Sequence, residues 1–316
     1  MITSEKDADR MSTTQPESYK SKERMIKMEA KKPVSQCIAN LCYPDIEEHL
    51  KTNDLIVIPI GSIEQHSRHL PLSTDMIFPE EIAKRACEKT NTLYTPIMPF
   101  GYSPHHLGYV GKGTGTVTLR PQTIMSVYYD LARSMIHHGY NKIIFVTQHA
   151  SNLKIMDPVL RKIRYDTGAF CCCLKTYVER YLGMFKDILE GPAEETPGWH
   201  SGESETSYML YLAPEYCRMD RAEKETAHKP AFLPDAFMKY DGAPDIGFEG
   251  YEYFNMSLEH REFTTTGCMG NPHRATKEKG EIMVQRMSDH LASAIEEIRT
   301  MDVKVHTREY TCRADW

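Results

Sequence analysis

The chain has 316 residues, with 38 Lys and Arg against 44 Asp and Glu, a net charge of −6 and 41% hydrophobic residues. That length can bury one large α/β core or two smaller ones, and the acidic balance leaves no electrostatic footprint for nucleic acid. No apolar run approaches the roughly 20 residues that span a bilayer, so neither nucleic acid nor a membrane is an expected partner.

Residues 1–33 are rich in Ser, Lys, Glu and Met and lack an apolar leader core. They read as a disordered or extended arm and speak against a secretory signal. The nine cysteines follow no metal-finger or redox spacing, so they read as core thiols in a reducing cytoplasm. From Leu55 onward, apolar strand-like runs alternate with amphipathic ones. The pattern predicts strands over Leu55 to Ile60, Leu93 to Met98, Lys142 to Thr147 and Ala169 to Lys175. It predicts helices over Pro79 to Lys89, Pro121 to His138, Leu153 to Tyr165, Val178 to Leu189, Ser204 to Leu212 and Thr276 to Arg299. Such alternation means βαβ units, a mostly parallel sheet and a site beyond the carboxyl ends of the strands. Residues 34–300 are expected to form this domain and 301–316 a C-terminal tail. The stretch 222–270 shows little periodicity and reads as a long loop.

Three polar clusters sit where these elements meet. The first, Glu64-Gln65-His66-Ser67-Arg68-His69-Leu70-Pro71-Leu72-Ser73-Thr74-Asp75, follows a buried strand. Its mixture of imidazole nitrogen and carboxylate oxygen suits divalent metals. Asp75 can instead cap the following helix. The second is Thr147-Gln148-His149-Ala150-Ser151-Asn152, in which Ser151 or Asn152 can cap a helix while His149 faces a site. The third, Gly198-Trp199-His200-Ser201-Gly202-Glu203-Ser204-Glu205-Thr206-Ser207, reads as a helix start with acidic residues in its first turn. That reading leaves His200 and Trp199 unaccounted for. His105 and His106 can also reach a pocket, but two adjacent histidines in a loop carry little weight alone. The Gly111 to Gly115 stretch lacks the spacing of a phosphate loop, and no Gly-x-Ser-x-Gly elbow exists.

In order, these motifs resemble the creatininase (creatinine amidohydrolase) family. The likeness extends to Gly113-Thr114-Gly115-Thr116-Val117-Thr118-Leu119 and to the Gly270 to Gly280 element. It implies a three-layer αβα sandwich with two divalent ions, Zn2+ or Mn2+, in a cytoplasmic homo-oligomer, often a hexamer. By motif, Glu64 and His149 sit on one metal and His66 on the other. Asp75 bridges the two, and Glu203 completes the second. His200 is then the proton shuttle, and Glu205 or a nearby carboxylate is expected to orient its imidazole. Arg68, Ser151 and Trp199 are expected to face a small polar substrate.

The implied reaction is attack of a metal-bound hydroxide on a carbonyl, opening a creatinine-like cyclic amide. Carbon–carbon cleavage of a cyclic diketone such as a keto-inositol is the alternative. A metal- or ligand-binding relic without catalysis is a third reading, disfavoured by the intact ligand positions. Creatininases carry a Glu where this chain has Ser151, and Arg68 replaces the usual Pro, which argues against creatinine itself.

Overall fold

Alternating apolar side chains on two central strands divide the core of the protein in two. The computed structural model describes residues 32–108, 113–176, 183–192, 200–239 and 245–311. Strands β1 (Leu55–Pro59), β2 (Leu93–Tyr94), β3 (Lys142–Thr147) and β4 (Phe170–Lys175) form one parallel sheet in the order β2-β1-β3-β4. Around it lie α1 (Tyr43–Leu50), α2 (Thr74–Thr90), α3 (Pro121–His138), α4 (Ala150–Thr167), α5 (Glu203–Leu212) and α6 (Lys277–Arg299).

Successive strand residues point to opposite faces. Leu55, Val57, Ile144 and Val146 therefore pack with Phe78 and Ile82 of α2, Met209 of α5 and Val284 and Leu291 of α6. Ile56, Ile58, Ile143 and Phe145 pack with Ile124 and Tyr128 of α3 and with Met156 and Ile163 of α4. The expected three-layer αβα sandwich results. Its inner strands are buried throughout because helices cover both faces. Cys171 and Cys173 pack toward one layer and Cys172 toward the other. Burial raises all three thiols, Cys172 to about 11, as befits core thiols.

Several elements depart from expectation. Helix α2 starts at Thr74 rather than Pro79. Pro79 sits inside it, lacking only the N–H that would reach back to residue 75. Strand β2 stops at Tyr94, just before Pro96, which has no N–H for a ladder. Of the helix expected over Val178 to Leu189, residues 178–182 lie outside the described residues, and 183–189 form turns rather than a helix. The 222–270 stretch holds a small antiparallel sheet of β5 (Phe237–Met238), β6 (Asp245–Phe248) and β7 (Tyr251–Asn255). Its strands are short, and a register shift at Ile246/Gly247 breaks their alternation. The segment 301–311 has no helix or strand and is tied by His306 N–H to Thr167 O (2.9 Å) and by Arg133 to the Thr307 and Glu309 carbonyls. Among the described residues no helix is long and apolar enough to cross a membrane.

Helix α6 fixes the position of α5 through a backbone contact. A Cβ on Gly280 would run into the Ser207 carbonyl and come within 2.9 Å of Tyr208 Cα. Gly280→Ala is therefore expected to cost at least about 1–3 kcal/mol. Urea denaturation measures the loss; wild-type stability would mean that the helices have room to spare.

Candidate metal centre

Strands β1 and β3 end side by side, with Pro59 paired to Val146. The chain leaving β1 carries Glu64 and His66, and the chain leaving β3 carries His149, the N-cap residue of α4. The first turn of α2 brings Asp75, and the first turn of α5 brings Glu205. All five lie at the carboxyl ends of parallel strands. The two helix starts favour the negative charge they carry.

His149 Nδ1 lies 3.0 Å from Glu64 Oε2 and 3.2 Å from Asp75 Oδ2. His66 Nε2 lies 3.6 Å from Asp75 Oδ1 and 3.5 Å from Glu205 Oε2. The opposite ring nitrogens are anchored to backbone: His149 Nε2–H donates to Tyr102 O (2.8 Å) and His66 Nδ1–H to Glu64 O (3.1 Å). A carbonyl behind an imidazole is how metal-binding histidines are commonly aimed. His66 Nε2 and Asp75 Oδ1 are buried without a hydrogen-bond partner, and buried polar atoms rarely stay unpaired. Of the four groups among the described residues whose donor atoms lie within 4.8 Å of one another, two contain Asp75: Glu64/Asp75/His149 and His66/Asp75/Glu205. Asp75 belongs to both, offering one oxygen to each. These residues fit a divalent metal of the zinc or manganese type.

Electrostatics point the same way. Burial disfavours a charged His66, yet Asp75, Glu205 and Glu64 outweigh it and raise the imidazole to about 10. Burial alone would raise Asp75, but His66 and His149 hold its carboxyl below the usual range. Burial pushes Glu205 above that range, opposed by His66 and reinforced by Asp75 and Glu64. The cluster pulls in positive charge, from protons when no cation is supplied.

Three expected assignments change. Glu203 is not in the cluster. Its carboxylate accepts from Lys279 Nζ (2.7 Å) and from the backbone N–H groups of Glu190 and Gly191 (3.0 and 3.1 Å). Glu205 stands in the cluster instead, so it is not placed as the orienter of His200. Two residues along a helix point about 200° apart, so one of the pair faces the site and the other faces away. Arg68 is exposed and paired with Glu223, because the left-handed turn at Ser67 (φ 58°) redirects the chain before it. Ser151 is buried in the first turn of α4, two residues beyond His149. Trp199 lies outside the described residues. Neither helix start is capped as the sequence allowed. Asp75 turns to the histidines, and Asn152 donates to Gly61 O (3.1 Å) and accepts from Tyr102 N–H (3.0 Å).

His200 stacks on His66 with ring centroids 4.4 Å apart and directs Nδ1 toward Glu64 Oε1 at 3.8 Å. His106 stacks on His200 at 4.6 Å and places Nε2 3.3 Å from Glu64 Oε1. His260 closes the group, 4.4 Å from His106 and 4.7 Å from His200. Ser103 Oγ donates to Glu64 Oε2 (2.7 Å) and meets Ser62 Oγ. Gln65, His260 and the two serines carried no signal of their own in the sequence, and His260 lies in the aperiodic stretch. Ser67 and Ser201, which follow His66 and His200, both adopt left-handed backbone (φ 58° and 59°), a strain typical of functional sites.

Fold and donor set together define an α/β protein with a buried His/carboxylate cluster that could hold a divalent metal. The chain belongs to the creatininase family: the model of that family, creatinine amidohydrolase, matches residues 39–295. It is 27% identical over 272 residues to the creatinine amidohydrolase of Pseudomonas putida, covering 82% of this chain and 96% of that one. Identity is 26% over 272 residues with the 3-dehydro-scyllo-inosose hydrolase of Thermotoga maritima (84% and 85%). With the mycofactocin precursor peptide peptidase of Mycobacterium tuberculosis it is 24% over 253 residues (75% and 83%). Among solved structures, a manganese creatininase superposes with a TM-score of 0.64 at 24% identity, covering 84% of this chain and all of that one. A variant creatininase of zinc–zinc type gives 0.62 at 25%, covering 85% and 100%. Family members are hydrolases, which makes this chain an enzyme of that class.

The exchange of roles between the two glutamates is testable. Glu205→Gln is expected to lower zinc content with the fold kept. Glu203→Gln is expected to keep the metal but lose about 1.5–3 kcal/mol of stability, the scale of a hydrogen bond to a charged group. Metal analysis and denaturation of both variants separate them; the opposite pattern would restore Glu203 as a ligand.

Proposed function

We propose that the protein is a metal-dependent hydrolase that opens a small polar cyclic amide by C–N cleavage, using two divalent ions, zinc or manganese. One observation carries this reading: Asp75 offers its two oxygens to separate ligand sets, with Oδ2 near His149 and Oδ1 near His66. Glu64 and His149 would hold one ion, His66 and Glu205 the other, and Asp75 both. Ions bound there supply Lewis acidity, polarising a carbonyl and bringing the pKa of water toward neutrality.

The chain's own residues do the rest. Gln148 donates to Glu205 Oε1 (3.5 Å) and is itself held by Thr176 Oγ1 (2.9 Å), so the Glu205 carboxylate keeps its aim. Burial, followed by His66 and His260, holds His200 well below the ordinary imidazole range. The ring is therefore neutral near pH 7, with Nδ1 turned toward the carboxylate cluster. From there it can take a proton and return it to the departing nitrogen.

A second reading, C–C hydrolysis of a keto-inositol, is favoured by Ser151. That small buried hydroxyl replaces a carboxylate expected of creatininases, and the inosose hydrolase relative is almost as similar as the creatinine one. The leaving group is then an enolate carbon rather than nitrogen. Protein reconstituted with zinc or manganese and offered creatinine, other cyclic amides and keto-inositols decides between the two. Chelation should abolish whichever activity is found. Failure to bind either metal would remove the proposal.

Metal binding should also be linked to protons. With His66 raised to about 10, it is protonated at neutral pH until an ion takes its place. Its proton must leave, so affinity should fall as the pH drops, about tenfold per pH unit for each proton displaced. Calorimetry of zinc binding in buffers of different ionisation enthalpy counts those protons; zero release would contradict His66 as a ligand.

A further inference from the structure

Gln65 is buried beside the cluster, and every polar atom it has is engaged. Its N–H donates to Thr116 Oγ1 (3.0 Å), and its side-chain Oε1 accepts from Ser67 N–H (2.9 Å). Because an N–H donor settles which end is oxygen, the amide nitrogen is the end that faces the imidazoles. It lies 2.8 Å from His106 Nδ1, 3.2 Å from His260 Nδ1 and 3.2 Å from His200 Nε2. Gln65 O lies 2.6 Å from His200 Nε2.

We propose that Gln65 is a positioning residue that fixes which nitrogen carries the proton on His106, His200 and His260. An amide nitrogen has two hydrogens. His200 Nε2 can reach a carbonyl at 2.6 Å only as a donor, so it cannot also accept from the amide. The two amide hydrogens therefore go to His106 Nδ1 and His260 Nδ1, and both of those rings carry their proton on Nε2. His106 Nε2–H then faces Glu64 Oε1, and His200 is left with a bare Nδ1 toward the same carboxylate. One side chain and one carbonyl thus give three neighbouring rings a single set of tautomers. For His200 this is the form that accepts a proton from the reacting side, so the catalytic meaning of Gln65 rests on the hydrolase reading above.

The pocket around Gln65 is shaped for this task. Gly267 has φ +84°, and a Cβ there would collide with Gln65 Oε1 and come within 3.0 Å of Cδ and Nε2. The three imidazoles also form a set whose nitrogens lie close enough to ligate a metal. A metal there would need all three nitrogens bare at about 2.0–2.1 Å, whereas the amide sits among them and His200 Nε2 spends its proton on Gln65 O. The amide takes the place that a further cation would occupy.

Long-range 1H–15N spectra of the zinc-loaded protein report imidazole tautomers without any substrate. The wild type is expected to show His106, His200 and His260 protonated on Nε2 alone. Gln65→Glu replaces the donor with an acceptor and should move a proton onto Nδ1 of His106 and His260. Gln65→Met, of similar length but without donors, should leave those two rings as tautomer mixtures and serves if the Glu variant fails to fold. Gly267→Ala should produce the same mixture by displacing Gln65 without removing a polar group. Unchanged tautomers in folded, zinc-binding Gln65 variants would overturn the inference. So would an extra equivalent of zinc that disappears in His260→Ala, because the trio would then be a metal site. A protein that binds no zinc yet shows the expected tautomers would refute the hydrolase reading and leave the role of Gln65 standing.

Discussion

Three carboxylates, those of Glu64, Asp75 and Glu205, are packed together where almost no water reaches them, at 1%, 2% and 5% exposure. Like charges about 4 Å apart repel by about 4 kcal/mol at the effective dielectric of a protein, and burying an unpaired carboxylate costs more still. Ser103 Oγ and His106 Nε2 at Glu64, and Ser201 N–H and Gln148 at Glu205, relieve part of this; Asp75 is left to two imidazoles, His66 and His149, whose other nitrogens are committed to backbone carbonyls. The arrangement makes sense only if positive charge enters from outside. The helix starts, the anchored imidazoles and the serine pair at Glu64 all serve to keep that place negative and well aimed.

The scaffold meets this demand by bringing rigid helix starts to the loops that leave β1 and β3. Asn152 in α4 joins Gly61 O to Tyr102 N–H and reaches Thr147 Oγ1, fastening the segments that follow β1 and β2 to the helix that follows β3. On the other layer, α5 is held against α6 by the Gly280 contact. The Glu203–Lys279 pair ties the 190–191 turn to the same two helices. The two acidic residues at the start of α5 thus go separate ways: Glu205 stands in the carboxylate cluster, and Glu203, two residues before it, fastens the frame.

How much of this was legible in the sequence follows from the physics of each element. Strand β3 and helix α3 were readable to the residue, since long periodic runs bounded by Pro121, Gly139 and the polar cluster at Gln148 leave little choice. Glu64, His66 and Asp75 could be picked out because they share one short stretch after a buried strand, and His149 because it ends another. The choice between Glu203 and Glu205 was not legible, for it turns on helix phase and on Lys279, far along the chain. Arg68 misled for a related reason: a single left-handed residue, invisible in composition, turns it outward. Gln65 lay in plain view within the motif. Its meaning depends on His106 and His260, which the chain brings to it from 41 and 195 residues away.

The left-handed serines have a bearing on how this protein would respond to selection for heat resistance. Ser67 and Ser201 each hold a conformation that glycine adopts without penalty, at a cost of order 1–3 kcal/mol for a residue bearing a side chain. Glycine at either place would ease the folded state while loosening the hinge that aims the neighbouring imidazole. A search guided by melting temperature alone would therefore be drawn to these two positions and would trade turnover for toughness there.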